Sequence, residues 1–307
     1  MQIMISTYKH KKLTWIDLDS PSKEEVRAVM EEYDIHPLVA DELLSPTLRP
    51  KVDIYKNHIY LILHFPIISH KHDGHSEAEV DFIIGKDFLI TTHYGLFEPL
   101  TEFSKIFEVN SILEKSNMTD HAGFLFFYLI RELYNSLTDE LDFTRHALDR
   151  IKEKIFTGHE AEMVQAISIT ERDLIGFKQA IQPHKEVLES FETASTKMFG
   201  KDFSYYANSI IGEYFRIYNR LGSQSEILLE LRETNDSLLT TKTNEIMKVL
   251  TVMASLLLPA ALIASIFGMN SADIPIVGKE NDFWIIVWVM VAATVMLFLY
   301  FKYKKWI

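Results

Sequence analysis

The chain has 307 residues, a formal net charge of −12 at pH 7 and no cysteine. The length allows one or two domains, and the missing thiols exclude disulfides and fit a reducing compartment. The acidic balance argues against nucleic acid as a partner, because phosphate backbones are bound by clustered Lys and Arg.

The first residues, MQIMISTYKHKKL, lack the apolar core of a signal peptide. Leu13 to Leu18 alternates and reads as a strand. Ser20-Pro21 reads as an N-cap and first-turn proline for a helix through Tyr33, with Glu24 and Glu25 near its positive end. His36-Pro37-Leu38 opens a short helix around Asp41-Glu42, broken by Pro46 and Pro50. Val52–Tyr55 and Ile59–Phe65 predict a hairpin around Lys56-Asn57. Val80–Ile84 and Phe88–Thr92 predict a second pair, joined through Gly85-Lys86-Asp87. The first hundred or so residues therefore form an α/β unit, set at 1–110.

Residues 111–202 read as a helical region. From Asp120 to Phe156, Leu125, Leu129, Leu133, Leu137, Leu141 and Leu148 recur at helical spacing. Phe124 to Ile130 is very apolar but too short to span a membrane. Thr157-Gly158-His159 breaks the pattern, and a second helix runs from Glu160 to Ile181, ending near Pro183. From about Phe203 no strong breaker appears before Pro259, which predicts one stalk helix (203–248) continuing into an apolar run at 249–270. Sixty-odd helical residues span on the order of 100 Å and must pack on the preceding helices or on copies of themselves.

The apolar run at 249–270 and a second one at 283–301 are each about twenty residues without charge, enough to cross roughly 30 Å of hydrocarbon as helices. Such long chargeless runs are rare in soluble cores, the alternative reading. Pro259 kinks rather than breaks a helix inside a membrane bundle. Lys242 and Lys248 precede the first span, and Lys302, Lys304 and Lys305 lie in the tail at 302–307. The connection at 271–282 carries Asp273, Glu280 and Asp282 against Lys279. The positive-inside bias puts both termini in the cytoplasm, with Trp284, Trp288 and Trp306 suited to the interfaces.

Asn244, Met247, Thr251, Ala254, Leu258, Ala261, Ser265 and Gly268 follow a heptad seam of steps of three and four. The seam is small or weakly polar, flanked by Val249, Leu256, Leu257, Ile263 and Ile266. Small residues let membrane helices approach closely, and periodicity alone favours that reading. A ring of such faces would instead line a narrow pore.

Gly268-Met269-Asn270, at the outer end of the first of two C-terminal spans, resembles the signature of the CorA family of divalent-cation channels. TWIDLDSPSKEEV, HPLVADELL and RPKVDIY stand in that family's usual order, and NEIMKVLTVMASLLLPAALIASIFGMN and YFKYKKWI complete a resemblance over nearly the whole chain. It implies an α+β cytoplasmic domain (an α/β sandwich), a long stalk helix and two C-terminal transmembrane helices in a funnel-shaped homopentamer of the plasma (inner) membrane. Gly268, Met269 and Asn270 would then form the outer selectivity site for hydrated Mg²⁺. Asn244 would form a ring at the inner mouth, and Thr251, Ala254, Ala261 and Ser265 would line the pore. Met247, Leu250 and Leu258 match the family's hydrophobic constriction. Mg²⁺ would be the transported ion and a regulatory ligand, with Co²⁺ and Ni²⁺ as secondary cargo and no organic cofactor. A Zn²⁺ transporter of the same family, perhaps proton-coupled, and a membrane-anchored scaffold or sensor are the competing readings.

Two departures stand out. The outer loop reads Ile274-Pro275-Ile276 where the family often has Met-Pro-Glu. The place of the family's regulatory stalk acid, counted back from Asn244, falls at Ser209, with Glu213 one turn on. Elsewhere, His64, His70, His72 and His75 could suit zinc or nickel, but without a clean second ligand pair a His-rich polar loop is the simpler reading. Glu24-Glu25, Glu31-Glu32 and Asp139-Glu140 read as solvated helix faces. No nucleotide-binding loop or hydrolase triad stands out, so the chain does not read as an enzyme.

Overall fold

The computed structural model describes residues 5–67, 76–95, 97–113, 121–269, 278 and 281–306. The chain divides into two units, Met1–Arg232 and Glu233–Ile307.

The first unit is built on a six-stranded sheet. Its strands are β1 (Ile5–His10), β2 (Leu13–Asp19), β3 (Lys51–Ile54), β4 (Ile59–Ile67), β5 (Ser76–Ile84) and β6 (Phe88–His93), in the order β1-β2-β6-β5-β4-β3. β2 and β6 pair in parallel; the other neighbours are antiparallel. Both predicted hairpins form. β1 escapes the sequence reading because its residues alternate between half-buried and exposed, with little apolar signal.

β4 is buried along nearly its whole length, as a strand covered on both faces must be. On one face Tyr60, Ile62, Ile83 and Ile90 pack with Val26 and Val29 of α1 (Lys23–Tyr33) and Val39, Ala40 and Leu43 at α2 (Pro37–Glu42). The start of α1 corrects the sequence reading. Its cap is Ser22, not Ser20: Ser22 Oγ accepts from the Glu25 amide at 3.3 Å, and Glu25 Oε2 accepts from the Ser22 amide at 2.7 Å. This reciprocal box satisfies two end-of-helix donors, while Ser20 sits in the left-handed region at φ 48°.

The other face meets helices. Trp15 stacks on Tyr8, meets Phe103 and Phe107 of α3 (Glu98–Leu113) edge-on, and donates from Nε1 to Thr91 Oγ1 at 3.0 Å. Phe82 meets Phe126 of α4 (Ala122–Phe156), which packs on Phe191 of α6 (His184–Phe199). The apolar stretch at Phe124–Ile130 is thus core. α5 (Glu160–Ile181) ends where predicted, near Pro183, and the helical region continues beyond that proline. It starts α6, because proline tolerates a position with no amide partner to supply.

His184, the first residue of α6, is fully buried. Its Nε2–H donates to the His64 carbonyl at 2.9 Å and its Nδ1 accepts from Tyr134 Oη at 2.8 Å. β3 pairs with β4 only as far as Ile62, so this imidazole takes a carbonyl beyond the end of the shorter strand. Burial pushes its pKa down to about 4. The folded state therefore resists a proton that the unfolded chain accepts below about 6.5. The His184 contribution is complete above that pH and is lost as pH falls towards 4, on the order of 3 kcal/mol in all. Thermal melts should fall steeply across that window in the natural protein, and less steeply in His184→Gln.

α7 (Ser204–Phe267) follows a single 3-10 turn and runs 64 residues, as the missing breakers predict. In the first unit its buried row is Ala207, Ile210, Tyr214, Ile217, Leu221, Gln224, Leu228 and Leu231, a heptad spacing. Gln224 Nε2 donates to the Leu141 carbonyl of α4 at 2.7 Å. Arg220 pairs with Asp142, and Arg232 Nη1 lies 3.1 Å from Glu171. In the second unit α7 is followed by α8 (Asp282–Tyr303). Both are long and apolar enough to cross a membrane.

Candidate functional site

The candidate site is the face of α7 from Asn244 to its C-terminal end. Asn244, Met247, Thr251, Ala254, Leu258, Ala261, Ser265 and Gly268 are all exposed. Met247, Leu250 and Leu258 stand 54%, 59% and 66% open, although each is a side chain that water disfavours. The shielded stripe of this stretch is a different one: Val252, Ser255, Leu256, Pro259, Ala260, Ile263 and Phe267. α8 has a matching shielded stripe through Ile286, Met290, Ala293, Leu297 and Phe301. The two helices of the unit thus cover one side of each other and leave the small-residue seam of α7 unpaired. Trp284 and Trp288 of α8 are exposed.

Local chemistry sharpens the seam. Thr251 Oγ1 donates to the Met247 carbonyl at 2.7 Å, so its proton is used within its own helix and its lone pairs remain for an outside donor. At the C-terminal end the Gly268 amide donates to the Ala264 carbonyl at 2.9 Å, and Met269 closes a looser turn to Ile266 at 3.4 Å. A Cβ on Gly268 would meet the Ala264 oxygen at 3.0 Å, so a bare α-carbon suits this tight end. Met269 is exposed. Asn270, with the acids Asp273 and Glu280, lies outside the described residues.

At the other end Lys248 Nζ donates to the Lys305 carbonyl at 3.3 Å. The Trp306 amide donates back to the Phe301 carbonyl at 3.0 Å and its ring stacks on Phe301. Charge counting marked these lysines only as indicators of sidedness; the tie between α7 and the tail carries no sequence signal.

In the first unit, Ser209 is exposed and Glu213 is held by Arg216 at 2.6 Å in its own turn. Of the histidine cluster, His70, His72 and His75 lie outside the described residues. His64 is a buried β4 residue whose Nε2 donates to Glu79 at 3.1 Å. No group of three or more His, Asp or Glu suited to hold a metal occurs among the described residues.

Residues 10–304 match the family model of the CorA-like Mg²⁺ transporter protein. The chain belongs to the CorA family. It is 28% identical over 299 residues to the cobalt/magnesium transport protein CorA of Thermotoga maritima, covering 96% of this chain and 83% of that one. It is 20% identical over 305 residues to the cobalt/magnesium transport protein CorA of Methanocaldococcus jannaschii, covering 98% and 93%. The complete structure of the M. jannaschii CorA magnesium transporter superposes with a TM-score of 0.84, over 98% of this chain and 94% of that one. The soluble α/β unit, long helix and two C-terminal helices are the CorA fold, and CorA membership places the chain among transporters rather than enzymes.

Proposed function

We propose that the protein is a passive, potential-driven influx channel for hydrated Mg²⁺, with Co²⁺ and Ni²⁺ as secondary cargo. The observation that carries this reading is the unpaired seam of α7. A helix that buries one side on its hairpin partner and leaves a row of small and weakly polar groups open is suited to face an axis shared with other copies. In this reading five chains assemble in the plasma membrane with α7 inside, α8 outside and both termini cytoplasmic. The named magnesium and cobalt relatives support the cargo.

Mg²⁺ gives up its water reluctantly, so a pathway that leaves the hydration shell intact needs acceptors spaced for a water-clad ion. Asn270 amide oxygens would supply the outer ring, with Gly268 keeping the backbone open and Met269 beside it. Ser265, Ala261, Ala254 and Thr251 would line the passage, and Asn244 the inner mouth. Met247, Leu250 and Leu258 would form a constriction that stops ions by dewetting. Inside-negative potential drives a divalent ion with about 4.6 kcal/mol per 100 mV. Regulation by internal Mg²⁺ through Glu213 would require its ion pair with Arg216 to open.

Purified protein in proteoliposomes tests the reading. Mg²⁺ uptake should rise with an imposed inside-negative potential, need no proton gradient, and be accompanied by weaker Co²⁺ and Ni²⁺ uptake. Zn²⁺ uptake that needs a proton gradient would replace this reading with the zinc transporter, and no flux of any ion would leave a membrane anchor.

A further inference from the structure

Beneath α2 the sheet carries an acid pair that ion conduction does not use. Asp81 and Glu79, two residues apart on β5, share the face that packs on α1 and α2. Asp81 is 0% exposed and Glu79 7%. Glu79 is the hub. It accepts from the Thr47 amide at 2.7 Å, the Thr47 hydroxyl at 3.2 Å and His64 Nε2 at 3.1 Å. Asp81 accepts from Tyr60 Oη at 3.3 Å and is the next residue to Glu79 on that face of β5. Two buried charges so placed would repel, which favours the neutral form of one of them. Asp81 Oδ1 is buried without a partner, as expected of a neutral acid whose other oxygen carries the bonding and not of a carboxylate.

The surroundings add negative charge. Glu42 of α2 bonds to Lys51, which also holds Asp53 of β3. Glu77 lies 3.5 Å from His64 Nδ1, and Tyr94 Oη donates to the Glu42 carbonyl at 3.4 Å. Lys51 is the one lysine or arginine in this set. Burial, and then the charge of Glu79, hold Asp81 well above the usual carboxylate range.

We propose that Asp81 keeps its proton beside Glu79 at neutral pH, and that its loss releases the cover formed by α2 and the turn through Thr47. A second charge would face Glu79 and Glu42 on one buried surface, and the contacts nearest to it are those of Thr47 with Glu79 and of Glu42 with Lys51. The folded form holds this proton while the unfolded chain sheds it above about pH 4. The contribution is therefore present in acid and lost as pH rises through the raised pKa of Asp81, the reverse of the His184 effect. The N-terminal unit thus carries an alkaline-sensitive latch on α2.

Hydrogen exchange on the full chain in detergent, between about pH 7 and about pH 9.5, tests this; His184 is neutral throughout that range. With exchange in α4 as the reference, opening of residues 37–54 should increase with pH, up to about tenfold per pH unit until Asp81 has titrated. Asp81→Asn has no proton to lose, so its opening should stay flat. Infrared spectra at about pH 7 should show a protonated-carboxyl band that Asp81→Asn lacks. An unchanged pH response in Asp81→Asn, or an unchanged carboxyl band, overturns the proposal. Should Asp81→Asn fold poorly, Glu79→Gln removes a neighbouring charge that raises the Asp81 pKa: the carboxyl band should disappear at lower pH than in the natural protein and the pH response of opening should move with it, so a response that does not move overturns the proposal.

Discussion

Asn270→Ala should cut Mg²⁺ uptake in proteoliposomes by more than about tenfold while leaving expression and oligomer size unchanged. A hydrogen bond to a charged partner is worth about 1.5–3 kcal/mol, and a factor of ten corresponds to about 1.4 kcal/mol, so losing even one amide contact to the hydrated ion is enough. In a ring of identical chains the loss is repeated in every chain. Asn270→Asp separates selection from simple attraction. It adds charge where the amide offers only a dipole, so it should bind Mg²⁺ more tightly and release it more slowly, raising apparent affinity and lowering maximal flux. If Asn270→Ala conducts Mg²⁺ normally, the outer ring is not where the ion is selected. If the purified protein is monomeric in membranes, no ring exists.

The second large effect is expected at Leu258→Ala. Leu258 stands 66% open on the seam, so its truncation leaves no cavity in the chain's own core and should cost little stability. In a narrow apolar passage the same truncation widens the bore and eases wetting. Resting leak current should rise on the order of tenfold, equivalent to lowering a barrier by about 1.4 kcal/mol. Leu257→Ala is the control: Leu257 is equally open, at 70%, but lies off the seam. Equal effects at both positions would remove Leu258 from the constriction.

The long-range plan was legible because it rests on strong periodicities. The two apolar runs, the uninterrupted α7, the alternation of β2 and the short apolar stretches of β4 and β6 are properties of pattern alone. α3 and α6 were harder. α3 lies in a stretch of mixed polarity, and α6 begins next to the proline that had marked a stop. The seam of α7 was readable as a spacing, but which side α8 covers was not. α8 is apolar on every side, so it has no amphipathic direction to read. His64 was grouped with the loop histidines by proximity in sequence, whereas strand register buries it against Glu79. The burial of Asp81 and Glu79 was equally invisible, because two acids spaced by one residue on a strand usually mean a wet face.

Gln224 sets a condition on any sliding of α7 against α4. Its row of contacts is otherwise greasy and forgiving, but its amide is fastened to a single carbonyl, that of Leu141. Equivalent carbonyls recur along a helix only at each turn, about 5.4 Å apart. Intermediate positions would strand a buried amide, so displacement along this seam would proceed in notches, like a pawl on a rack, rather than by gradual creep.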